Sequence, residues 1–395
     1  MKRQIGALTV TLALVAAACG SDDGDTAATD PPATTDPPAT TEPAATTTQP
    51  ERPTTTQPDS ETTTVPTTET TTTVAATTVP ATTVAPLEPL DELRIYHPET
   101  LAFAAPFTML DDEAPESALG EVVEQVTTDV WTTPDVLRSV LVNGQSDVTA
   151  VPTYVGANLA NRGVDVQLAA VVVWGLLWMI GPDGAPASWD SLRGETVMIP
   201  FQNDMPDLVF QYLAAANGLT PGEDFTVEYY AQPPEVVARL VSGGGTWAVL
   251  PEHVATVALA QAGQNGHALA RVLDLQQEWA TATGGSPRIP QAGIVVPRAL
   301  AADRPDVVAA VLDDLERAVA TVNAAEPGTL TRLSEASGVP EPVIAQVIPR
   351  LNLDVVPAGD ARAELEWFYT ELATLSPDII GGDLPAGDFY LDDPR

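Results

Sequence analysis

The sequence predicts an α/β protein of two similar lobes, and three observations predict it. Residues 134–163 and 233–262 read as one unit written twice: ninety-nine residues on, Pro134, Leu141, Gly144, Pro152 and Val155 fall on Pro233, Leu240, Gly243, Pro251 and Val254. Each copy runs from a helical stretch (135–142, 234–241) through a Gly turn to a short apolar strand (147–151, 246–250), then to a Pro that opens a second helix. That repeat is too long for a solenoid unit and suits paired α/β lobes facing a cleft. The third observation is length: beyond residue 90 about three hundred residues remain, enough for two cores.

The elements follow in order. Met1-Lys2-Arg3 is a basic start, residues 5–18 are apolar or small, and Ala16-Ala17-Ala18-Cys19 closes the stretch like a bacterial lipobox. Fourteen such residues are short for a bilayer span, so residues 1–19 are expected to be a lipoprotein signal peptide. Lipidation of Cys19, the sole cysteine, would then anchor the mature chain to the cell membrane. Residues 20–90 are Thr, Pro, Ala and acidic residues, a composition that cannot offset its ordering entropy and reads as a disordered tether. Such a tether reaches roughly 200 Å extended or roughly 45 Å as a coil.

Within the folded part, strands are expected at 93–97, 122–130 and 147–151. Residues 166–180 are β-branched and apolar with Trp174-Gly175 in the middle, which reads as consecutive buried strands. A polar connection at 188–194 precedes a second series: strand 196–199, helix 206–217, strand 225–229, helix 234–241, strand 246–250, helix 252–262 and strand 270–275. One more strand is expected at 292–296, and the chain after it is expected to be helical. The stretch 305–323 is the clearest helix, with Val307, Val308, Val311, Leu312, Leu315, Val319 and Val322 on one stripe and Pro305 at its start.

Charge narrows the function. The formal net charge is −37 and the only lysine is Lys2, so nucleic acid is an excluded partner. There is no zinc-ligand spacing, no G-x-S-x-G elbow, no phosphate loop and no cysteine nucleophile in the mature domain, so neither enzyme activity nor a cofactor is expected.

Four segments carry a family resemblance: Trp189-Asp-Ser-Leu-Arg-Gly-Glu-Thr-Val197, residues 208–219, residues 234–252 and residues 287–296. They resemble the type II periplasmic binding proteins of ABC importers, in the branch that binds sulfonates, nitrate and thiamine-pyrimidine precursors. The likeness runs from about Leu93 to Pro377. It departs at Gly244-Gly245-Thr246-Trp247, where the family has Gly-x-Asp-Ala, and in the loop 98–107. The resemblance implies two interlobe crossovers, with lobe I from 91–190 and 288–395 and lobe II from 191–287. It also implies a monomer that closes about a hinge on a small-molecule ligand and passes it to ABC permease subunits.

In α/β sheets ligands sit beyond the carboxyl ends of strands, where helices begin. The candidate ligand residues are therefore His97, Thr153, Tyr154, Trp174, Gln202, Asn203, Asp204, Glu252 and Arg288. By the repeat, Thr153 and Tyr154 face a site opposite Glu252 and His253. Each also has a plain structural reading: Glu252 as a helix-dipole partner, Asn203 and Asp204 as N-caps, Trp174 as core, Arg288 as a hinge ion pair. The absence of lysine tilts the ligand towards a neutral or amine-bearing heterocycle such as a thiamine pyrimidine precursor. The alternatives are a sulfonate or other small organic anion, and a tethered sensor without transport.

Overall fold

The computed structural model describes residues 87–110 and 114–395; the expected signal peptide with Cys19, and the tether as far as residue 86, lie outside them. Eleven strands follow in chain order: β1 (Leu93–His97), β2 (Val126–Val130), β3 (Val148–Pro152), β4 (Val166–Val173), β5 (Leu177–Pro182), β6 (Thr196–Pro200), β7 (Thr226–Tyr230), β8 (Trp247–Pro251), β9 (Leu269–Asp274), β10 (Ala292–Pro297) and β11 (Leu353–Pro357). They form two sheets, of order β11-β4-β10-β3-β1-β2 and β7-β6-β8-β5-β9.

The sequence repeat is a repeat of topology. In the first sheet β1 is flanked by parallel β2 and β3, and β10 lies antiparallel beside β3. In the second sheet β6 is flanked by parallel β7 and β8, and β5 lies antiparallel beside β8. The paired helices match as well, Pro134–Val142 with Pro233–Val241, and Thr153–Asn161 with Glu252–Gln264. A proline opens each helix of the first pair, where its missing N–H costs nothing, and the Thr133 hydroxyl accepts the Val136 N–H at 3.3 Å to cap the first copy.

The chain leaves the first sheet after β4 and returns to it at β10. The first passage, Trp174 to Leu176, comes well before the expected boundary at residue 190, because β5 pairs with β8 and β9. Gly175, at φ 99°, turns the chain there in a conformation that a side chain would strain. Two further expectations need correction. Residues 119–122 are helical, so the second strand is short; a helix at Leu275–Thr283, not anticipated from sequence, follows β9. A strand, β11, interrupts the C-terminal helices and pairs with β4, since the apolar edge of β4 would otherwise lack a hydrogen-bonding partner.

Packing joins the lobes on one side. The helix Ala358–Leu375, after β11, lies against the helix Met205–Ala216, after β6, and both contribute to one apolar core. Trp279 stands between them, with Tyr212 at 5.1 Å and the Phe368 ring edge-on at 5.9 Å. Trp279 and Phe368 are buried and Tyr212 half-buried, and a buried aromatic contributes on the order of 1.5–3 kcal/mol by leaving water, so this side is firmly closed.

Candidate ligand-binding cleft

Where β3 and β6 end, the two lobes touch through polar groups. Tyr154, in the first turn after β3, donates its hydroxyl proton to Asp204 Oδ1 at 2.6 Å. Asp204 also caps its own helix by accepting the Met205 N–H at 2.7 Å. Burial, and then the neighbouring carboxylate, hold the Tyr154 phenol well above its ordinary pKa. The loop leading to Asp204 is strained: Phe201 and Asn203 both have positive φ, 62° and 59°. Asp207, fully buried, holds that loop by accepting the Asn203 N–H at 2.9 Å, the Gln211 amide at 2.8 Å and the Tyr229 hydroxyl at 3.1 Å. Burial, and then Asp207, push Tyr229 up to about 12. Gln202 and Asn203 are exposed.

Thr153, Trp174 and Arg288 gather at the passages between sheets. The buried Thr153 hydroxyl donates to the Pro290 carbonyl. Trp174 is buried, its indole N–H on the Asp354 carbonyl at 3.0 Å, and the Arg288 guanidinium lies 3.6 Å over its ring and 3.4 Å from the Asp354 carboxylate. Two glutamines not anticipated from sequence complete the junction. Gln291 accepts the Leu176 N–H at 3.1 Å, and Gln276 accepts the Leu177 N–H at 2.8 Å while donating to the Leu177 carbonyl at 3.1 Å. Backbone groups of the first passage that would otherwise be orphaned are thereby satisfied. Thr153 and Trp174 are thus satisfied at these passages, whereas Arg288 Nε and Nη2 are buried without a hydrogen bond. His97, at the end of β1, is buried too, its Nδ1 2.9 Å from the Pro98 carbonyl and its ring stacked on Phe107 at 5.3 Å.

Glu252 is fully buried and fully engaged. Arg271 donates to both carboxylate oxygens, at 2.8 and 2.5 Å, and the Thr256 hydroxyl donates to Oε1 at 2.7 Å. Arg350, from the segment before β11, approaches Oε1 to 3.8 Å from the other lobe. Arg271 also lies 5.7 Å over the Trp178 ring. Nothing adjacent in the sequence announces these arginine partners, which come from β9 and from a turn almost a hundred residues away.

The open space lies beside these contacts. A cleft of about 870 Å³ separates the faces of the helices Pro233–Val241 and Glu252–Gln264 from Glu99, Thr100 and Leu101 and from the segment 337–347. Its second-lobe wall carries Pro233, Val237 and Val241 from one helix and His253, Val257, Gln261 and Asn265 from the next, a stripe at four-residue spacing. Val339, Val343 and Val347 face them from the first lobe. No arginine lines the cleft among the described residues, and Glu99 is its one carboxylate. His253 Nδ1 is buried without a hydrogen-bond partner, and burial pushes the imidazole down to about 4, so it is neutral at pH 7. His253 is the repeat equivalent of Tyr154; the repeat set it opposite Tyr154 in the sequence, although it was not among the nine candidate ligand residues. Of the nine expected ligand residues none lines this cleft; Tyr154 and Asp204 meet each other, and Glu252 meets its arginines.

Among the described residues no helix is long and apolar enough to cross a membrane, and no group of His, Cys, Asp and Glu is arranged to hold a metal ion. No protein-family model matches the chain, and no curated protein is significantly similar to it in sequence. Solved structures do match. An ABC transporter protein from Parabacteroides distasonis superposes with a TM-score of 0.63 at 19% identity, covering 77% of this chain and 99% of that one. The periplasmic aliphatic sulphonate binding protein from Escherichia coli gives 0.56 at 17% identity, covering 75% and 93%. The periplasmic nitrate-binding protein from Synechocystis gives 0.52 at 14% identity, covering 74% and 84%. Two sheets built on one repeated plan, a chain that leaves the first and returns to it, and these superpositions together give this chain the two-lobed α/β fold of the type II periplasmic binding proteins.

Proposed function

We propose that the chain is an extracytoplasmic solute-binding subunit of an ABC importer, anchored to the cell membrane by lipid on Cys19, which captures a small organic molecule between its lobes. The observation that carries this reading is the cleft of about 870 Å³ walled by both lobes, a size suited to a small organic ligand. Its chemistry favours one ligand class. Apolar walls with a single carboxylate and a neutral imidazole suit a neutral or amine-bearing heterocycle, of which a thiamine pyrimidine precursor is an example. A sulfonate or nitrate would enter a space that, among the described residues, has no arginine and one opposing negative charge. The tight side of the molecule acts as the fixed edge, so closure on a ligand is a swing of the valine-lined walls about it.

Thermal-shift measurements on the purified chain test the reading, because a ligand that binds only the folded state raises the melting temperature by mass action. Aminated heterocycles are expected to raise it, and methanesulfonate and nitrate to leave it unmoved; the reverse pattern would make the anion reading correct. Uptake of the ligand identified in this way, lost on deletion of the gene, separates an importer subunit from a tethered sensor. For the anchor, Cys19→Ser is expected to release the protein into the medium, and retention of the processed variant on the membrane would refute lipidation.

A further inference from the structure

Resting on that assignment of the cleft, we propose that His253 determines specificity, pairing through Nδ1 with an N–H donor of the ligand while Glu99 receives a second N–H from the opposite lobe. Nδ1 is enclosed and has no partner among the described residues, whereas Tyr154, at the equivalent position of the other lobe, is satisfied by Asp204. His253 lines the cleft while its Nδ1 is covered and unpartnered, so a turn of the ring about Cβ–Cγ that brings Nδ1 to a ligand N–H would satisfy it. Its place in the first turn of a helix disfavours a positive charge on the imidazole, and the apolar wall does so too, leaving Nδ1 free to accept. Glu99 also accepts. Two acceptors on opposing walls, with valines between, select a flat apolar body carrying two N–H groups, and they discriminate against carboxylates and sulfonates, which bring acceptors to acceptors. A site built to pair an N–H rejects an isostere that lacks it more strongly than an apolar pocket rejects a change of size.

Isothermal titration calorimetry on the full chain in detergent, with aminopyrimidine, unsubstituted pyrimidine and methanesulfonate as probes, tests this. Aminopyrimidine is expected to bind the wild type more tightly than pyrimidine. His253→Phe, which keeps the ring volume, is expected to weaken it about ten-fold or more, and His253→Gln, which restores an acceptor, to recover part of the loss. Equal aminopyrimidine affinity in His253→Phe and the wild type overturns the role of His253, as does failure of aminopyrimidine to bind the wild type. The cleft itself is tested separately by Val257→Trp, which projects an indole into it: loss of whichever probe binds the wild type upholds capture in the cleft even if His253 fails, and unchanged binding removes the reading on which the proposal rests. A melting temperature for each variant within a few degrees of wild type shows that folding is not the cause.

Discussion

Tyr154 and His253 stand at equivalent turns of the two repeats, and one is satisfied while the other is not. Tyr154→Phe removes a hydrogen bond to a charged group without opening a cavity, and is expected to lower unfolding free energy by about 1.5–3 kcal/mol in urea titrations. Glu252→Ala strips a buried carboxylate from Arg271 and Thr256 and is expected to cost about 3–5 kcal/mol, seen as a fall in melting temperature; an unchanged melting temperature would mean that the carboxylate faces solvent or ligand instead. From sequence, both side chains were candidates to face a ligand. Their burial could not be foreseen, because Asp204 reaches Tyr154 from the loop after β6 and Arg271 reaches Glu252 from β9. His253 adds a pH dependence. Its folded pKa lies below the ordinary value near 6.5, so between about pH 6.5 and about pH 4 the unfolded chain takes up a proton that the folded chain refuses. Wild type is therefore expected to lose about 3 kcal/mol relative to His253→Gln as pH falls through that window, with no further relative change below it. Parallel pH profiles of the two proteins would contradict the burial of this imidazole.

At the scale of elements, the repeat was legible because its punctuation is local. Pro134 and Pro233 start helices, Gly144 and Gly243 turn the chain at positive φ, and both patterns survive in one sequence without reference to the fold. The junction between sheets was only half legible. Trp174-Gly175 marked an interruption, yet whether residues 177–182 continue the first sheet or begin the second depends on pairing with β8 and β9, which no run of apolar residues specifies. The same holds for β11, whose Leu353-Asp-Val-Val-Pro357 is too short to stand out among helices. The cleft was least legible of all, since its walls are the outward valines of helices whose inward faces look much the same. Gly175 gives this junction a direct test. A Cβ there would lie 2.5 Å from Gln276 Cγ, on backbone at φ 99°, so Gly175→Ala is expected to destabilise by about 2–4 kcal/mol in denaturant melts. A neutral result would mean that the Gln276 contact to the passage is dispensable.

For the molecule as a whole, a net charge of −37 works against compaction. Raising ionic strength from about 0.01 to about 0.1 M shortens the screening length from about 30 to about 10 Å, so the melting temperature is expected to rise with salt. A fall would mean that the ion pairs around Glu252 and Arg395 outweigh the general repulsion. The strand order also sets a timetable. β10 lies between β3 and β4, yet it follows them by more than a hundred residues, and every strand of the second sheet comes in between. As the chain is synthesised, N-terminus first, the second sheet has all five strands before β10 arrives, while β3 and β4 wait with open edges. Contacts so distant in sequence slow folding and leave apolar strands unprotected while they form. The first sheet is thus the part for which the cell must guard against aggregation, and a chain stopped before residue 292 would carry one finished lobe and one that cannot close.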